Sequence, residues 1–305
     1  MPRSLTENAR IAGGMIVAPW LYLAGRALKS RALLESAARR DHLFVRAHEA
    51  LVRSKPKAAN VLFGQLLMAV ELVAATKNGA EVPIRKYITV SESQILQDLF
   101  AVLVAGEKRG RYFVEVGVGN GKTISNTYIL EKEFGWDGVL VEPNRTFHEP
   151  ILASRTAKLD RRAAASQGGQ HLKFEEAVEF GEFSRLVGAG NLATGEVWRE
   201  LPPGEHRTYD VETATLTQIL DEAGAPNVID YLSLDTEGTE PDIIAGIDFS
   251  KYQFQAITIE TDYRPGVREG LVEKLGAHGY RQIFGAFSGF DTWFVHSSTT
   301  SPYIP

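Results

Sequence analysis

An apolar run, Tyr112 to Val114, ends in Glu115, and three glycines follow at alternating positions, Gly117, Gly119 and Gly121. A second short apolar run, Val139 to Val141, ends in Glu142, with Asn144 two residues on. Further along, two more apolar runs end in Asp235 and in Glu260, the latter followed by Asp262. These residue types can do chemistry together. Glycines let backbone approach a ligand closely. A carboxylate closing the second strand can accept hydrogen bonds from both hydroxyls of a ribose. Carboxylates at strand ends can take a proton or ligate a hard cation such as Mg²⁺.

Strand, glycine turn, helix and acid-tipped strand make the first βαβ unit of a nucleotide-binding α/β sheet. Spacing discriminates among three nucleotides. A dinucleotide turn, G-x-G-x-x-G, needs a third glycine where Lys122 stands. A P-loop, G-x-x-x-x-G-K-[ST], is met at Gly121-Lys122-Thr123 but needs its first glycine where Val116 stands. The remaining pattern, E-x-G-x-G-x-G, is that of S-adenosylmethionine (SAM) enzymes, in which Glu115 would repel pyrophosphate but attract the ammonium of a methionine moiety. A purely structural glycine turn is the plain alternative.

The elements that must position these groups are read from periodicity. Strands are expected at 111–116, 138–142, 158–164, 229–234 and 254–260, with helices at 92–105, 123–134, 145–155, 214–223, 239–245 and 266–277. A closing antiparallel pair, 280–286 and 291–296, turns at Ser288-Gly289. Such alternation gives a mostly parallel sheet with helices on both faces and ligands at the carboxyl ends of its strands. Adjacent strands would then bring Asp235, Glu260 and Asp262 together. Between Phe174 and Thr213 the chain is rich in Gly and Pro and reads as irregular, either an acceptor-binding lid or a surface excursion. Its Arg185, Trp198, Arg199, His206 and Arg207 suit a polar acceptor that stacks, such as a sugar.

The segments VEVGVGNGKTISNTYILEKEFGWDGVLVEPN, DYLSLDTEGTE (230–240), QAITIETDYR (255–264) and HGYRQIFGAFSGFDTWFV (278–295) together resemble the FkbM family of SAM-dependent methyltransferases. The likeness spans about two thirds of the chain, from Ser91 to Val295, and includes SESQILQDLF (91–100) ahead of the first strand. It implies a doubly wound, mostly parallel seven-stranded α/β sheet of the Rossmann-like methyltransferase kind, with a C-terminal antiparallel hairpin and an added N-terminal helical region. It also implies O-methylation of a hydroxyl on a sugar, glycan or glycosylated natural product. On this reading Glu115, Gly117, Gly119 and Gly121 hold the methionine part of SAM, Glu142 the ribose, and backbone near Ala164 and Ala165 the adenine. Asn144 and Gln94 join the cofactor set, with Gln97 beside the latter. Ser125 and Asn126 are either cofactor or acceptor contacts or simply first-turn helix residues.

Asp235, Glu260 and Asp262 form the expected reaction centre, read either as a Mg²⁺ site or as carboxylates acting alone. Where the family usually reads Glu-His-Asn, this chain has Glu260-Thr261-Asp262, which favours a carboxylate or metal mechanism over a histidine base. Glu237 and Glu240 follow Asp235 closely, and for Glu240 a favourable place at a helix N-terminus is the simpler role. His171, His278 and His296 have no partner spacing and read as surface or structural. The alternatives are a P-loop-like phosphotransferase using Lys122 and a non-catalytic nucleotide-binding scaffold.

Bulk properties bound the rest. The 305 residues contain no cysteine, which excludes disulfides and thiolate chemistry and suits a reducing cytoplasm. Residues 1–60 hold eleven Lys/Arg against four Asp/Glu, and the remainder 22 against 34, so the catalytic part is acidic and not suited to nucleic acid. Residues 1–85 read as a helical region, over 5–54 and 60–77, separate from a methyltransferase domain at 86–305. Ile11 to Leu28 is apolar but broken by Pro19 and closed by Arg26, short of a comfortable span. The region is expected to act as a cap or homo-oligomer contact, and its basic residues also suit peripheral contact with an anionic membrane.

Overall fold

A computed structural model describes residues 87, 90–187, 201–261, 264, 266–284 and 291–304. The helices expected over 5–54 and 60–77, Trp198, Arg199, Asp262 and the Ser288-Gly289 turn lie outside the described residues. Those within Gln97–Ile304 belong to one compact unit. Its elements in chain order are α1 (Gln97–Val104), β1 (Tyr112–Val116), α2 (Tyr128–Lys132), β2 (Asp137–Val141), α3 (Arg145–Ser154), β3 (Lys158–Asp160), β4 (Ala163–Ala164), β5 (His171–Ala177), β6 (Arg185–Val187), β7 (His206–Ala214), α4 (Leu216–Ala223), β8 (Val228–Leu234), α5 (Glu240–Ala245), β9 (Gln253–Glu260), α6 (Val267–Gly276), β10 (Tyr280–Ile283) and β11 (Asp291–His296).

The principal sheet has seven strands in the order β10-β11-β9-β8-β1-β2-β3. The chain runs outward from β1 through β2 to β3, then returns to lay β8 on the other side of β1. The crevice between the carboxyl ends of β1 and β8 is therefore the topological switch point, where open α/β sheets bind ligands. β11 is antiparallel to both β9 and β10, so the expected hairpin places one antiparallel strand inside the edge of an otherwise parallel sheet. One face of the sheet, carrying Val114, Leu232, Ile257 and Phe294, packs on Leu216, Ile219, Leu220, Ile243, Ile244, Leu271 and Leu275 of α4, α5 and α6. On the opposite face Phe100 of α1 stacks on Trp293 at 4.7 Å. Local signals set the helix ends: Thr215 and Gln218 form a capping box ahead of α4, and Gly224 closes it in the left-handed conformation.

Three expectations are corrected. The strand expected over 158–164 is two strands in different sheets, because Asp160 Oδ1 accepts Arg162 N (2.9 Å) and turns the chain between them. The helix expected over 123–134 is confined to Tyr128–Lys132, since the preceding residues wrap around Glu115, with Ile124 at φ 59°. The stretch read as irregular is largely a four-stranded sheet, β4-β7-β5-β6, with β5 and β7 antiparallel from His171↔Glu212 to Ala177↔His206. Its core is Ala163, Phe174, Leu186 and Val211. Leu172 and Phe174 alternate with charged residues, as do Tyr209 and Val211, and that was the missed strand signal.

Two glycines in the turn after β1 differ in kind. A Cβ on Gly117 (φ 81°) would lie 1.6 Å from the Asp235 carbonyl oxygen, whereas one on Gly119 (φ 57°) would meet nothing within 4 Å. Gly117→Ala is expected to yield little folded protein, and Gly119→Ala to lose only about 1–2 kcal/mol in urea denaturation, the cost of left-handed backbone in an L-residue. Equal losses in the two variants would contradict this steric account.

Candidate active site

The site grows from the end of β1. Glu115 is 1% exposed, and its carboxylate accepts Ser125 Oγ (3.1 and 3.0 Å), Asn126 N (2.6 Å) and Thr127 Oγ1 (2.6 Å). Arg155, whose side chain is fully buried, lies 3.6 Å from Glu115 and 2.7 Å from Glu131 Oε2. It also donates to Gly121 O (3.0 Å), Ser125 Oγ (3.2 Å) and Thr127 Oγ1 (2.8 Å). Burial pushes the Glu115 pKa up, against the Arg155 charge and the three donors. For Glu131, burial is outweighed by Lys132 and Arg155, which bring it down to about 2. Glu115, expected to attract a ligand's ammonium, is thus engaged by the loop that it organises. Neither Arg155 nor Glu131 was flagged from sequence, because their 24-residue separation carries no pattern.

Glu142, just past β2, turns back to the glycine turn. Its Oε2 accepts Val118 N and Gly119 N (both 2.9 Å), and its Oε1 accepts Asn144 N (2.8 Å), leaving acceptor capacity on Oε1. Burial raises its pKa to about 7 despite those donors. Asn144 caps α3 through Oδ1 (Thr146 N, 3.0 Å), and its Nδ2 donates to Ser184 Oγ (3.2 Å). Ala164 is buried in β4, and Ala165 N donates to Ala214 O (3.0 Å), so that amide is held within the second sheet. Gln94 is half-buried and groups with the amino-terminal unit.

Across the switch point the strand ends carry a row of carboxyls. Asp235 extends β8, its N–H donating to Val116 O (3.0 Å), and stands beside Glu260 at the end of β9. Their carboxyl groups are close enough to influence each other's protonation. Burial raises both pKa values; the Asp291 charge adds to Asp235, and the Asp235 charge to Glu260. The pair therefore holds a proton between them, and both side chains are only half-buried. Asp291, opposite Glu260 in the register of β11, is buried, accepts Gln97 Nε2 (3.0 Å) and Trp293 Nε1 (3.1 Å), and is pushed up to about 7 by burial. Sequence reasoning missed Asp291, although the alternation Asp291, Trp293, Val295 puts it on the same face as Glu260.

Asp262 lies outside the described residues. Glu240 accepts Thr236 N (2.9 Å) and Gly238 N (3.1 Å) and pairs with Arg264, a structural role at the start of α5. Among the described residues no three His, Cys, Asp or Glu side chains form a metal-holding group, so the Mg²⁺ expectation gains no support there. The P-loop alternative loses its geometry as well: Lys122 N and Thr123 N, which a phosphate would need, donate to Asn120 Oδ1 (3.0 and 2.8 Å).

Residues 115–282, just over half of the chain, match the methyltransferase FkbM domain. The chain belongs to the FkbM methyltransferase family. Similar solved structures include precorrin-6y C5,15-methyltransferase from Geobacter metallireducens GS-15 (11% identity, covering 61% of this chain and 71% of that one, TM-score 0.34). Others are the METTL16 MTase domain (12%, 77% and 79%, TM-score 0.35) and the CurJ carbon methyltransferase (12%, 84% and 71%, TM-score 0.37). A comparison with curated proteins found no match. The protein is a SAM-dependent methyltransferase, and the phosphotransferase and scaffold alternatives give way to it. No helix among the described residues is long and apolar enough to cross a membrane.

The residues of this FkbM domain fit the methyl donor on two counts. The backbone at Gly119 has open space where a Cβ would stand. Asn126 Oδ1 is a buried acceptor with no hydrogen-bond partner. Glu142 and the 117–121 turn would hold the nucleoside.

Two predictions follow from the charges. Arg155→Met leaves buried Glu115 without a counter-charge and Glu131 with Lys132 alone, and should cost about 3–5 kcal/mol in urea denaturation, as for one partner removed from a buried pair; a loss under 1 kcal/mol would show the network to be dispensable. For pH, Glu142 and Asp291 bind their protons more tightly folded than unfolded, so their contribution is present below the unfolded values, 4.5 and 3.8, and is lost as pH rises to about 7. Glu131 acts oppositely, losing its contribution as pH falls from 4.5 toward about 2. The ligand-free protein should melt several degrees higher at pH ~5.5 than at pH ~8; a midpoint that climbs between those values contradicts the assignment.

Proposed function

We propose that this FkbM methyltransferase is an O-methyltransferase whose acceptor is a hydroxyl of a sugar, glycan or glycosylated natural product. The observation that carries the reading is the Asp235–Glu260 carboxyl pair, half-buried at the ends of adjacent strands beside the switch point. An alcohol is a poor nucleophile until its proton is leaving, and a base whose pKa sits near neutrality is suited to take it. Burial and the neighbouring carboxyls supply that condition by raising Asp235 well above the usual carboxylate range. When bound, SAM supplies an electrophilic methyl group.

The chain's part is to orient the hydroxyl and to move its proton. Asp235 accepts the hydroxyl proton as the oxygen takes the methyl group, and the proton already held on Glu260 keeps that neighbour neutral, so the pair goes from one negative charge to none. Two adjacent carboxyls also match a vicinal diol, one accepting from the hydroxyl to be methylated and the other from its neighbour, which favours a sugar over a simple alcohol. Arg185, His206 and Arg207 lie on the second sheet and its approaches and remain suited to polar sugar contacts.

Asp235→Asn should lower transfer of labelled methyl from SAM to a sugar hydroxyl by about 10²–10⁴-fold, the range of a positioned base. S-adenosylhomocysteine binding should stay within a few-fold of the unmodified protein. An Asp235→Asn protein of undiminished turnover would move the base elsewhere; methylation confined to amine or carbon acceptors would sink the hydroxyl reading.

A further inference from the structure

Asn126 sits where the two halves of the principal sheet diverge. Its backbone N–H donates to Glu115 Oε1 on β1 (2.6 Å), and its Nδ2 donates to Ser233 Oγ on β8 (2.9 Å), so the residue bridges the switch-point crevice. It is 5% exposed, and among the described residues its Oδ1 is a buried side-chain atom left without a partner. A buried carbonyl oxygen with no donor costs about 1–3 kcal/mol. The surroundings hold that cost in place. Ser125 and Thr127 are held by Glu115 and Arg155, and Asn126 by its backbone N–H, which fixes the backbone from which the amide projects.

The donor missing here is chemically constrained. Glu115 beneath it is already engaged on both oxygens, so among the described residues the buried acceptor left open here is that of Asn126. Arg155 offsets the charge of Glu115, but Glu131 and Asp235 add further carboxyls around this end of the crevice, which favours a cationic donor over an anionic group. SAM carries such a donor in its α-ammonium. We infer that Asn126 is the specificity-determining residue for the amino-acid end of the methyl donor, its Oδ1 accepting from the ligand's ammonium. Glu115 is a positioning residue that holds Asn126 in place. This rests on the SAM-binding reading of the site.

The test uses isothermal titration of the full chain with two ligands: S-adenosylhomocysteine, which has the amino-acid end, and 5′-methylthioadenosine, which lacks it. Asn126→Ala should weaken S-adenosylhomocysteine by about 10–100-fold and leave 5′-methylthioadenosine unchanged, the expected loss of one hydrogen bond to a charged group. Asn126→Asp, which keeps an acceptor, should stay within a few-fold of the unmodified protein for both. Equal weakening of both ligands by Asn126→Ala would make the residue a loop brace and overturn the inference, as would no weakening of either. If Asn126→Asp loses as much as Asn126→Ala, the amide acts as a donor to the ligand's carboxylate and the inference falls. Failure of the unmodified protein to bind either ligand would instead remove the SAM reading beneath it.

Discussion

The buried contact of Arg155 with Glu115 and Glu131 is the constraint on which the site depends. A guanidinium without solvent exposure is tolerable only when carboxylates and carbonyls take its donors, and here they come from β1, the glycine turn and α2. Its planar fork reaches several acceptors at once, which a lysine could not do. The guanidinium also lies over the Phe113 ring at 5.5 Å, so its flat face is covered as its edges are paired. One residue at the end of α3 thereby holds the loop through 121–127 against the sheet. That is why α2 starts late: the hydroxyls and amides of 125–127 are committed to Glu115 before a helix can claim them.

The carboxyl row on the other side of the switch point follows a different logic. Asp235, Glu260 and Asp291 lie side by side because the registers of β8, β9 and β11 align them, and nothing cationic separates the first two. Like charges so placed cannot all ionise, so desolvation and mutual repulsion are answered by retained protons. Asp291 is stabilised by Gln97 and Trp293 in a buried niche, whereas Asp235 and Glu260 keep partial access to the cleft. The first arrangement suits support and the second suits reaction. Asn144 adds a link in the opposite direction: its backbone N–H meets Glu142, while its side chain caps α3 and reaches the Gly181–Phe183 turn, so Glu142 and the second sheet are braced by one residue.

The sequence by itself determined the parallel strands, the glycine turn, the acid after β2 and the C-terminal hairpin, because those features are local: apolar runs, alternating glycines and strand-end acids lie within a few residues of one another. Asp235 and Glu260 were legible for the same reason, as acids closing apolar strands. The second sheet was hidden because its strands are half-exposed and polar, and alternation in Leu172-Lys173-Phe174 is easily taken for a charged loop. What only the tertiary structure decided is which partner each acid has. Glu115 could have faced a ligand, but the fold brings Arg155 and three donors to it. Glu131 and Asp291 gained roles from residues 24 and 194 positions away, Arg155 and Gln97. Hydrogen-bond partnership and desolvation depend on distances across the fold, and those set both the protonation of the carboxyls and the buried Asn126 acceptor that no described residue pairs.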